Sequence, residues 1–300
     1  MSVRFTLTRL CADFSLEITP REAQRIASFR DDLRPGTSVY VTSLANTPFS
    51  ETVDAARRLA GQNMRPVPHL AARAVRDERH LDEMLAALTG EAGVEEVLLI
   101  GGSVPRPVGD FDATIAVLRT GALERRGIRR VGLAGHPEGS PDISDEGLRQ
   151  ALKDKNELAA DTSLSLYLVT QFCFAPEPIV TWERQIREDG NRLPIRDGLP
   201  GLASPTKLVK FGLSCGVGPS LTVLRKQTTS VFKLATTAAY HPDGTMVGLA
   251  RAALTDRHAL IRGLHFFPFG AYRRTAAWAR AIGEGRFAVD PDTDRLEIAS

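Results

Sequence analysis

Short apolar segments with the composition of β-strands alternate with amphipathic helical segments along most of this chain. Strict alternation of this kind predicts a parallel sheet whose crossover connections are helices. A doubly wound open sheet is the main rival, but it usually carries a glycine-rich phosphate loop directly after its first strand. Here that strand runs into Glu17, Ile18, Thr19 and Pro20, without such a loop. We therefore predict an α/β fold of the (β/α)8, or TIM, barrel type.

Eight rounds of strand and helix can be counted. The predicted strands cover residues 14–18, 38–42, 65–70, 94–100, 130–134, 165–170, 194–202 and 263–267. The predicted helices cover residues 20–33, 51–60, 78–88, 145–159 and 271–282. Residues 204–257 exceed the length of one helix, so we expect two or three extra helices between the seventh and eighth strands. Barrels of about 250 residues or more commonly form one domain, and residues 1–300 are expected to form a single catalytic domain.

Composition limits the possible partners and the compartment. The formal net charge is only +2, which gives no strong field for nucleic acid or an anionic membrane. No apolar run approaches the roughly 18 residues that cross a bilayer, and the N-terminus lacks the pattern of a secretory signal. The three cysteines (Cys11, Cys173 and Cys215) show no CxxC spacing, which indicates a reducing compartment and no structural metal. We expect a cytoplasmic protein with small-molecule partners, and a homo-oligomer stays open.

Polar residues recur where the predicted strands end, which is where α/β barrels carry their active sites. These positions are Glu17, Thr42, His69, Ser103, His136 and Gln171. Glu17 fits a general acid at the barrel mouth, or a carboxylate paired with an arginine for structure. His69 fits a ligand for a phosphate or ribose oxygen, or a satisfied core histidine. Gln171 offers a donor and an acceptor to a pterin or flavin edge, or satisfies backbone groups.

The loop after the fifth predicted strand is rich in glycine and proline and contains His136 and Glu138. Such a loop lets a flat ligand approach the backbone closely, and Glu138 fits either a ribose contact or a contact within the loop. Lys153 and Lys155 follow on the next helix, where either fits a phosphate at the mouth or a solvated surface. The aromatic run 265–269 fits one wall of a ligand slot or part of the core.

Several motifs together resemble the methylenetetrahydrofolate reductases over most of residues 14–280. Phe14-Ser-Leu-Glu-Ile-Thr-Pro20 is similar to the family's Phe-Glu-Phe-Phe-Pro, Ala134-Gly-His-Pro-Glu138 to its Ala-x-Tyr/His-Pro-Glu, and Thr170-Gln-Phe-Cys-Phe174 to its Thr-Gln-Phe-Phe-Phe. Leu152-Lys-Asp-Lys155 resembles a Leu-Lys-x-Lys helix, and Phe111-Asp-Ala113 resembles a Tyr-Ala or Phe-Ala motif. Val41-Thr42 and Pro68-His69-Leu70 resemble the second- and third-strand motifs.

The resemblance implies a short, barrel-only reductase without a regulatory domain. It implies that Glu17 is the general acid, that Gln171 binds the pterin, and that Lys207 and Phe211 also contact the folate. It implies an FAD cofactor, reduced by NAD(P)H, and the residues implied to bind it are Thr42, His69, Phe111, Ala113, Ala134, His136, Glu138 and Lys155.

The chain departs from the family at two places. After the seventh strand, Lys207 stands where the family has a Gln near the folate, and the fourth-strand motif also differs. The family's fourth strand usually ends in Leu-Arg-Gly-Asp, whereas this chain has Ile100-Gly-Gly-Ser103, so Ser103 takes the position of the pterin-binding Asp. The missing charges leave two alternatives open: direct, flavin-free hydride transfer from NAD(P)H to the folate, or a non-catalytic folate-binding or partner subunit. The retained Glu17 and Gln171 favour an enzyme. The physiological direction and the preferred nucleotide are not decided by the sequence.

Overall fold

The computed structural model describes residues 2–44, 47–102, 104, 106–214 (side chains up to residue 212) and 239–299. Eight strands form a closed barrel in chain order. They are β1 (Ser15–Ile18), β2 (Ser38–Val41), β3 (Arg65–Ala71), β4 (Glu96–Ile100), β5 (Arg130–Gly135), β6 (Ser165–Phe172), β7 (Ile195–Pro200) and β8 (Ile261–Phe267). Neighbouring strands pair in parallel, for example β3 with β4 and β7 with β8. The predicted (β/α)8 barrel is confirmed, and every predicted strand end lies within two residues of the observed one.

The described helices follow the strands as crossover connections, with one helix before β1. They are α1 (Val3–Cys11), α2 (Pro20–Arg25), α3 (Phe49–Gly61), α4 (Glu78–Ala92), α5 (Thr114–Arg119), α6 (Ala122–Arg125), α7 (Asp145–Asp161), α8 (Pro176–Glu188), α9 (Pro205–Ser214), α10 (Asp243–Thr255) and α11 (Tyr272–Gly283). Both α9 and α10 lie between β7 and β8, as expected. The sequence did not predict α1, α5, α6, α8 or the antiparallel pair β9 (Phe287–Val289) and β10 (Leu296–Ile298).

Helix α2 is much shorter than the predicted helix of residues 20–33, and that prediction was wrong. It begins in a capping box, in which Thr19 and Glu22 bind each other's backbone N–H groups. After Arg25 the backbone groups of the chain bind side chains of α3 and of Gln62, the residue that caps the C-terminus of α3. Arg58 donates to the carbonyl of Ile26 at 2.6 Å, and the side-chain oxygen of Gln62 accepts from the N–H of Phe29 at 2.7 Å. These long-range bonds replace the helical ones.

The barrel divides into two compact units of the chain. The first unit contains Met1–Leu16, Gly135–Gln150 and Thr170–Ser300, and the second contains Glu17–Ala134 and Ala151–Val169. In the second unit, Tyr40, Val67, Leu98, Tyr167 and Val169 form one buried cluster from β2, β3, β4 and β6. Gly132 makes room for it, because an added Cβ would lie only 2.9 Å from the Tyr167 hydroxyl.

Candidate functional site

In the second unit, Glu17 and His69 lie together at the C-terminal halves of β1 and β3. The Nε2 atom of His69 is 3.1 Å from Oε2 of Glu17, and the two side chains are only 8% and 16% exposed. One partner of Glu17 is therefore a histidine, whereas the sequence suggested arginine as the structural alternative. The contact is one of distance only, because the buried Nε2 of His69 forms no aligned hydrogen bond with a described residue. A carboxyl and an imidazole this close need only a small side-chain rotation to pass a proton in general acid–base chemistry.

The imidazole of His69 also packs edge-on against the ring of Tyr40, with 6.2 Å between centroids. The Tyr40 hydroxyl lies 2.6 Å from the Tyr167 hydroxyl, which donates to Glu96 at 2.7 Å. Burial, followed by the charges and hydrogen bonds of Tyr40 and Glu96, raises the pKa of Tyr167 well above its usual range. This chain of hydrogen bonds, which ends on the Glu96 carboxylate, holds the Tyr40 ring in place beside His69.

Two further polar groups of the second unit, the hydroxyl of Thr42 and the amine of Lys155, are buried with few polar contacts to the described residues. Thr42 follows β2 and donates its N–H to the carbonyl of Ile18, but its buried hydroxyl has no hydrogen-bond partner in the described part of the chain. The buried amine of Lys155 on α7 donates to the carbonyl of Ala134 at 3.4 Å and forms no ion pair with any described residue. Burial lowers the pKa of Lys155 to about 8. Buried polar groups in this state are suited to an external ligand.

In the first unit, Gln171 occupies the second-last position of β6. Its side-chain oxygen is buried and accepts no hydrogen bond from the residues that the structure describes. Native proteins satisfy most such atoms, and each unsatisfied one calls for an explanation such as a ligand. This carboxamide therefore has an acceptor that no described residue fills, which suits a donor from a ligand.

Aromatic rings of the first unit surround the ends of β6 and β8. The partly exposed rings are contributed by α9, the last residue of β8 and the loop after β8. The rings of the whole set are Phe172, Phe174, Phe211, Phe267 and Phe269. Phe211 is 38% exposed and stacks on Phe269 with 4.6 Å between centroids and 22° between planes. Phe269 adopts a φ of +48°, a strained backbone conformation for a bulky residue that is concentrated at functional sites. The amine of Lys207 lies beside Gly270, which follows Phe269 in that loop, since a Cβ added to Gly270 would be 3.2 Å from the Nζ atom.

The remaining predicted site residues lie as follows. Ala134 is in β5 and accepts the Lys155 hydrogen bond, while the carbonyl of His136 accepts from the N–H of Gly139 in the following turn. Glu138 is half-buried. The pKa of Cys173 is raised mainly by the burial of its thiol and secondly by the negative charge of Glu138. Phe111 is a buried ring and Ala113 precedes α5. Cofactor contacts of these residues stay predictions.

Ser103 and Cys215 lie outside the described residues. The residue before Ser103 is Gly102, whose φ of +94° lies in the left-handed region. A side chain at this position would also be crowded, because its Cβ would lie 3.1 Å from the Cβ of Ala71. The loop after β4 therefore requires glycine at this position for steric reasons.

The sequence reasoning missed a buried carboxyl group in β7. Asp197 is fully buried, and neither of its side-chain oxygens has a hydrogen-bond partner among the described residues. Burial, with a smaller contribution from Glu183, raises the pKa of Asp197 to about 8. The signal was present, since an aspartate interrupts the apolar strand predicted over residues 194–202. A second missed group is the fully buried contact between the Ser15 hydroxyl and Nδ1 of His265, at 2.9 Å.

The described ranges contain no cluster of three or more His, Cys, Asp or Glu residues suited to a metal ion. Within the same ranges, no helix combines the length and the apolar character that a bilayer-spanning segment requires.

No known family model matches this chain. Its fold is similar to that of an uncharacterised protein from Clostridium thermocellum that binds two copies of 5-methyl-5,6,7,8-tetrahydrofolic acid, with a TM-score of 0.60, 12% identity, and coverage of 93% of this chain and 97% of the other. It is also similar to a GH18 chitinase from Pseudoalteromonas aurantia, with a TM-score of 0.52, 13% identity, and coverage of 91% and 99%. At these identities the likeness defines the class of fold, the α/β barrel, and nothing finer.

Proposed function

We propose that this protein is a 5,10-methylenetetrahydrofolate reductase, which transfers a hydride between NAD(P)H and the methylenetetrahydrofolate/5-methyltetrahydrofolate pair. The observation that carries the proposal is the Glu17–His69 contact at the C-terminal halves of β1 and β3, at the position where the reductases have their general acid. The unsatisfied acceptor of Gln171 supports a pterin ligand. The folate bound by the Clostridium thermocellum protein supports the same substrate class.

In the proposed reaction, the carboxyl group of Glu17 donates its proton to N10 of the folate. The bond between N10 and the bridging carbon then breaks, and the bridging carbon stays on N5 as an iminium. This carbon accepts the hydride and becomes the 5-methyl group. The overall balance consumes one NAD(P)H and one proton for each methyl group formed. In this proposal His69 orients the Glu17 carboxyl and exchanges the proton with it, since Nε2 of His69 lies 3.1 Å from the carboxylate oxygen.

Gln171 is proposed to recognise the pterin through its amide group. The pterin's amino group and ring N–H are donors, and the side-chain oxygen of Gln171 is a buried acceptor that no described residue fills. This proposed contact belongs to substrate binding, so its loss should affect the folate and leave the nucleotide unaffected.

The Gln171→Ala variant is expected to raise the folate KM by about 10- to 100-fold, because a hydrogen bond to a buried group is lost. The nucleotide KM should stay within a few-fold of that of the wild type. Steady-state kinetics with each substrate varied separately measures both. Gln185→Ala, which removes an exposed carboxamide of α8, is the matched control. An unchanged folate KM in Gln171→Ala would place the pterin elsewhere.

The residues present fit an FAD cofactor. The buried Thr42 hydroxyl lacks a hydrogen-bond partner and the buried Lys155 amine lacks a counter-ion in the described part of the chain, and these are two residues at which the reductases contact their flavin. We propose that Lys155 neutralises a flavin phosphate and that Thr42 bonds the ring. When bound, FAD supplies a hydride carrier between nicotinamide and folate.

Lys155→Met is expected to weaken FAD binding at least about 10-fold, because a charged hydrogen bond to a phosphate is removed. In the wild type, affinity should also fall as the pH rises through about 8, where the Lys155 amine loses its proton. Quenching of flavin fluorescence on titration measures both effects. Lys153→Met is the control, since this exposed lysine of the same helix pairs only distantly with Glu157. Equal affinity in the two variants would contradict the assignment.

Direct, flavin-free transfer from NAD(P)H is the alternative, and Gly101 and Ser103 favour it because they stand where the reductases carry an Arg and an Asp. Deuterated NAD(P)H distinguishes the two routes. Direct transfer places the label in the 5-methyl group, whereas a hydride carried by flavin exchanges with water and the label is diluted. A folate that binds without any nucleotide oxidation would instead indicate the non-catalytic subunit.

A further inference from the structure

Two arginines near the start of the chain have no partner among the described residues. Arg21 and Arg25 of α2 are exposed and form neither an ion pair nor a hydrogen bond there. By contrast, Arg57 and Arg58 of the neighbouring α3 bind Asp54 and the carbonyl of Ile26. Residues four apart lie on the same face of a helix. Their two guanidinium groups therefore concentrate positive charge at one place on the surface.

These arginines line a cleft of about 390 Å³, together with Gln24 and Glu51. The volume lies in the range of about 300–1,000 Å³ of sites for small molecules. Guanidinium groups bind carboxylates and phosphates in bidentate fashion. Gln24 and the carboxylate of Glu51 can in addition accept N–H groups. The lining therefore suits a ligand in which carboxylates alternate with amide N–H groups, and a phosphate has no N–H group to offer Glu51.

The cleft lies close in sequence to Glu17. Arg21 is four residues after Glu17, a stretch of chain that spans at most about 14 Å. The capping box fixes this stretch, since the Thr19 N–H donates to Glu22 at 2.8 Å and the Glu22 N–H donates to the Thr19 hydroxyl at 3.1 Å. The Cα atom of Arg21 therefore lies within about 14 Å of the Cα atom of Glu17, the proposed acid.

We infer that this cleft binds the carboxylates of the glutamate tail of the folate, an inference that rests on the proposed function. In that reaction Glu17 acts on N10, and only a benzoyl ring and an amide separate N10 from the first glutamate. A tail of further γ-linked glutamates repeats the carboxylate and amide groups that Arg21, Arg25 and Glu51 are suited to bind. The cleft would then discriminate among folates by the length of their tails.

The test compares wild type with the Arg21→Gln/Arg25→Gln double variant on methylenetetrahydrofolate carrying one or three glutamates. We expect the wild type to have the lower KM for the triglutamate, and the double variant to lose about 3- to 30-fold of that advantage, the range for two exposed ion pairs. Arg119→Gln, which changes an exposed arginine of α5 outside the cleft, should behave as wild type. An undiminished triglutamate advantage in the double variant overturns the inference. A rise confined to the nucleotide KM overturns it in favour of a phosphate site.

A binding measurement separates this inference from the proposed function. Isothermal titration with free tri-γ-glutamate requires no turnover, and we expect heat of binding with wild type and none with the double variant. If the wild type reduces no folate but shows this difference, the proposed function fails and the anion site stands. If neither protein binds tri-γ-glutamate, and wild type and double variant show the same KM ratio for the two folates, the cleft inference fails while the proposed function stands.

Discussion

Glu17→Gln is expected to lower the rate of folate reduction by about 10²- to 10⁴-fold, the range of general acid catalysis. The amide has nearly the same shape as the carboxyl group but cannot donate a proton to N10. Any electron transfer from the nucleotide to an added flavin or dye should continue, because only the folate step requires the acid. Folate turnover and dye reduction by the same preparation measure the two activities separately.

Glu83→Gln is the control for this experiment, since it neutralises an exposed carboxylate of α4. Its turnover should equal that of wild type. His69→Gln should lower turnover less than Glu17→Gln does, because His69 is proposed to act through the Glu17 carboxyl. Reduction of methylenetetrahydrofolate by Glu17→Gln within a few-fold of the wild-type rate would remove Glu17 from the role of acid.

Asp197→Asn is expected to stabilise the fold at pH 8 by several kcal/mol, the order that a pKa raised by burial gives at about 1.4 kcal/mol per pH unit. The pKa of Asp197 is raised from 3.8 to about 8 by burial. Below pH 3.8 the carboxyl is protonated in both the folded and the unfolded chain, so it adds no pH dependence. Between 3.8 and about 8 only the unfolded chain loses the proton, and the free energy of unfolding falls as the pH rises.

The amide variant lacks this titration. Urea unfolding at several pH values should therefore give a free energy of unfolding that falls from pH 4 to pH 8 more steeply for wild type than for Asp197→Asn. Above about pH 8 the two curves should run parallel. Asp31→Asn, at an exposed position, should keep the wild-type slope. Equal slopes for wild type and Asp197→Asn would show that the buried carboxyl does not titrate in this way.

The barrel could be predicted from the sequence because its signal is local and repeated. Apolar runs such as residues 94–100 have the length of covered parallel strands, and alternation with helices limits the topology to few choices. The strand ends then placed Glu17 and Gln171 among the candidates, because barrels carry polar functional residues there. The extra helices between β7 and β8 followed from segment length alone.

Features that depend on distant parts of the chain could not be predicted. Helix α2 ends at Arg25 because Arg58 and Gln62 satisfy the backbone that follows, and neither bond has a local signal. The contact of Glu17 with His69 depends on the geometry of two separate strands. That no described residue hydrogen-bonds the side chain of Asp197 likewise becomes visible only when the positions of its neighbours are known.

Incubation of the purified protein with methylenetetrahydrofolate and deuterated NAD(P)H tests the central claim most directly, with the folate product analysed by mass spectrometry. The account predicts that 5-methyltetrahydrofolate accumulates in equal amount with oxidised nucleotide, and that Glu17→Gln forms little of either. Deuterium in the methyl group would assign direct transfer, and its dilution would assign the flavin route. Folate that is bound but unchanged, with the nucleotide still reduced, would contradict the proposed activity.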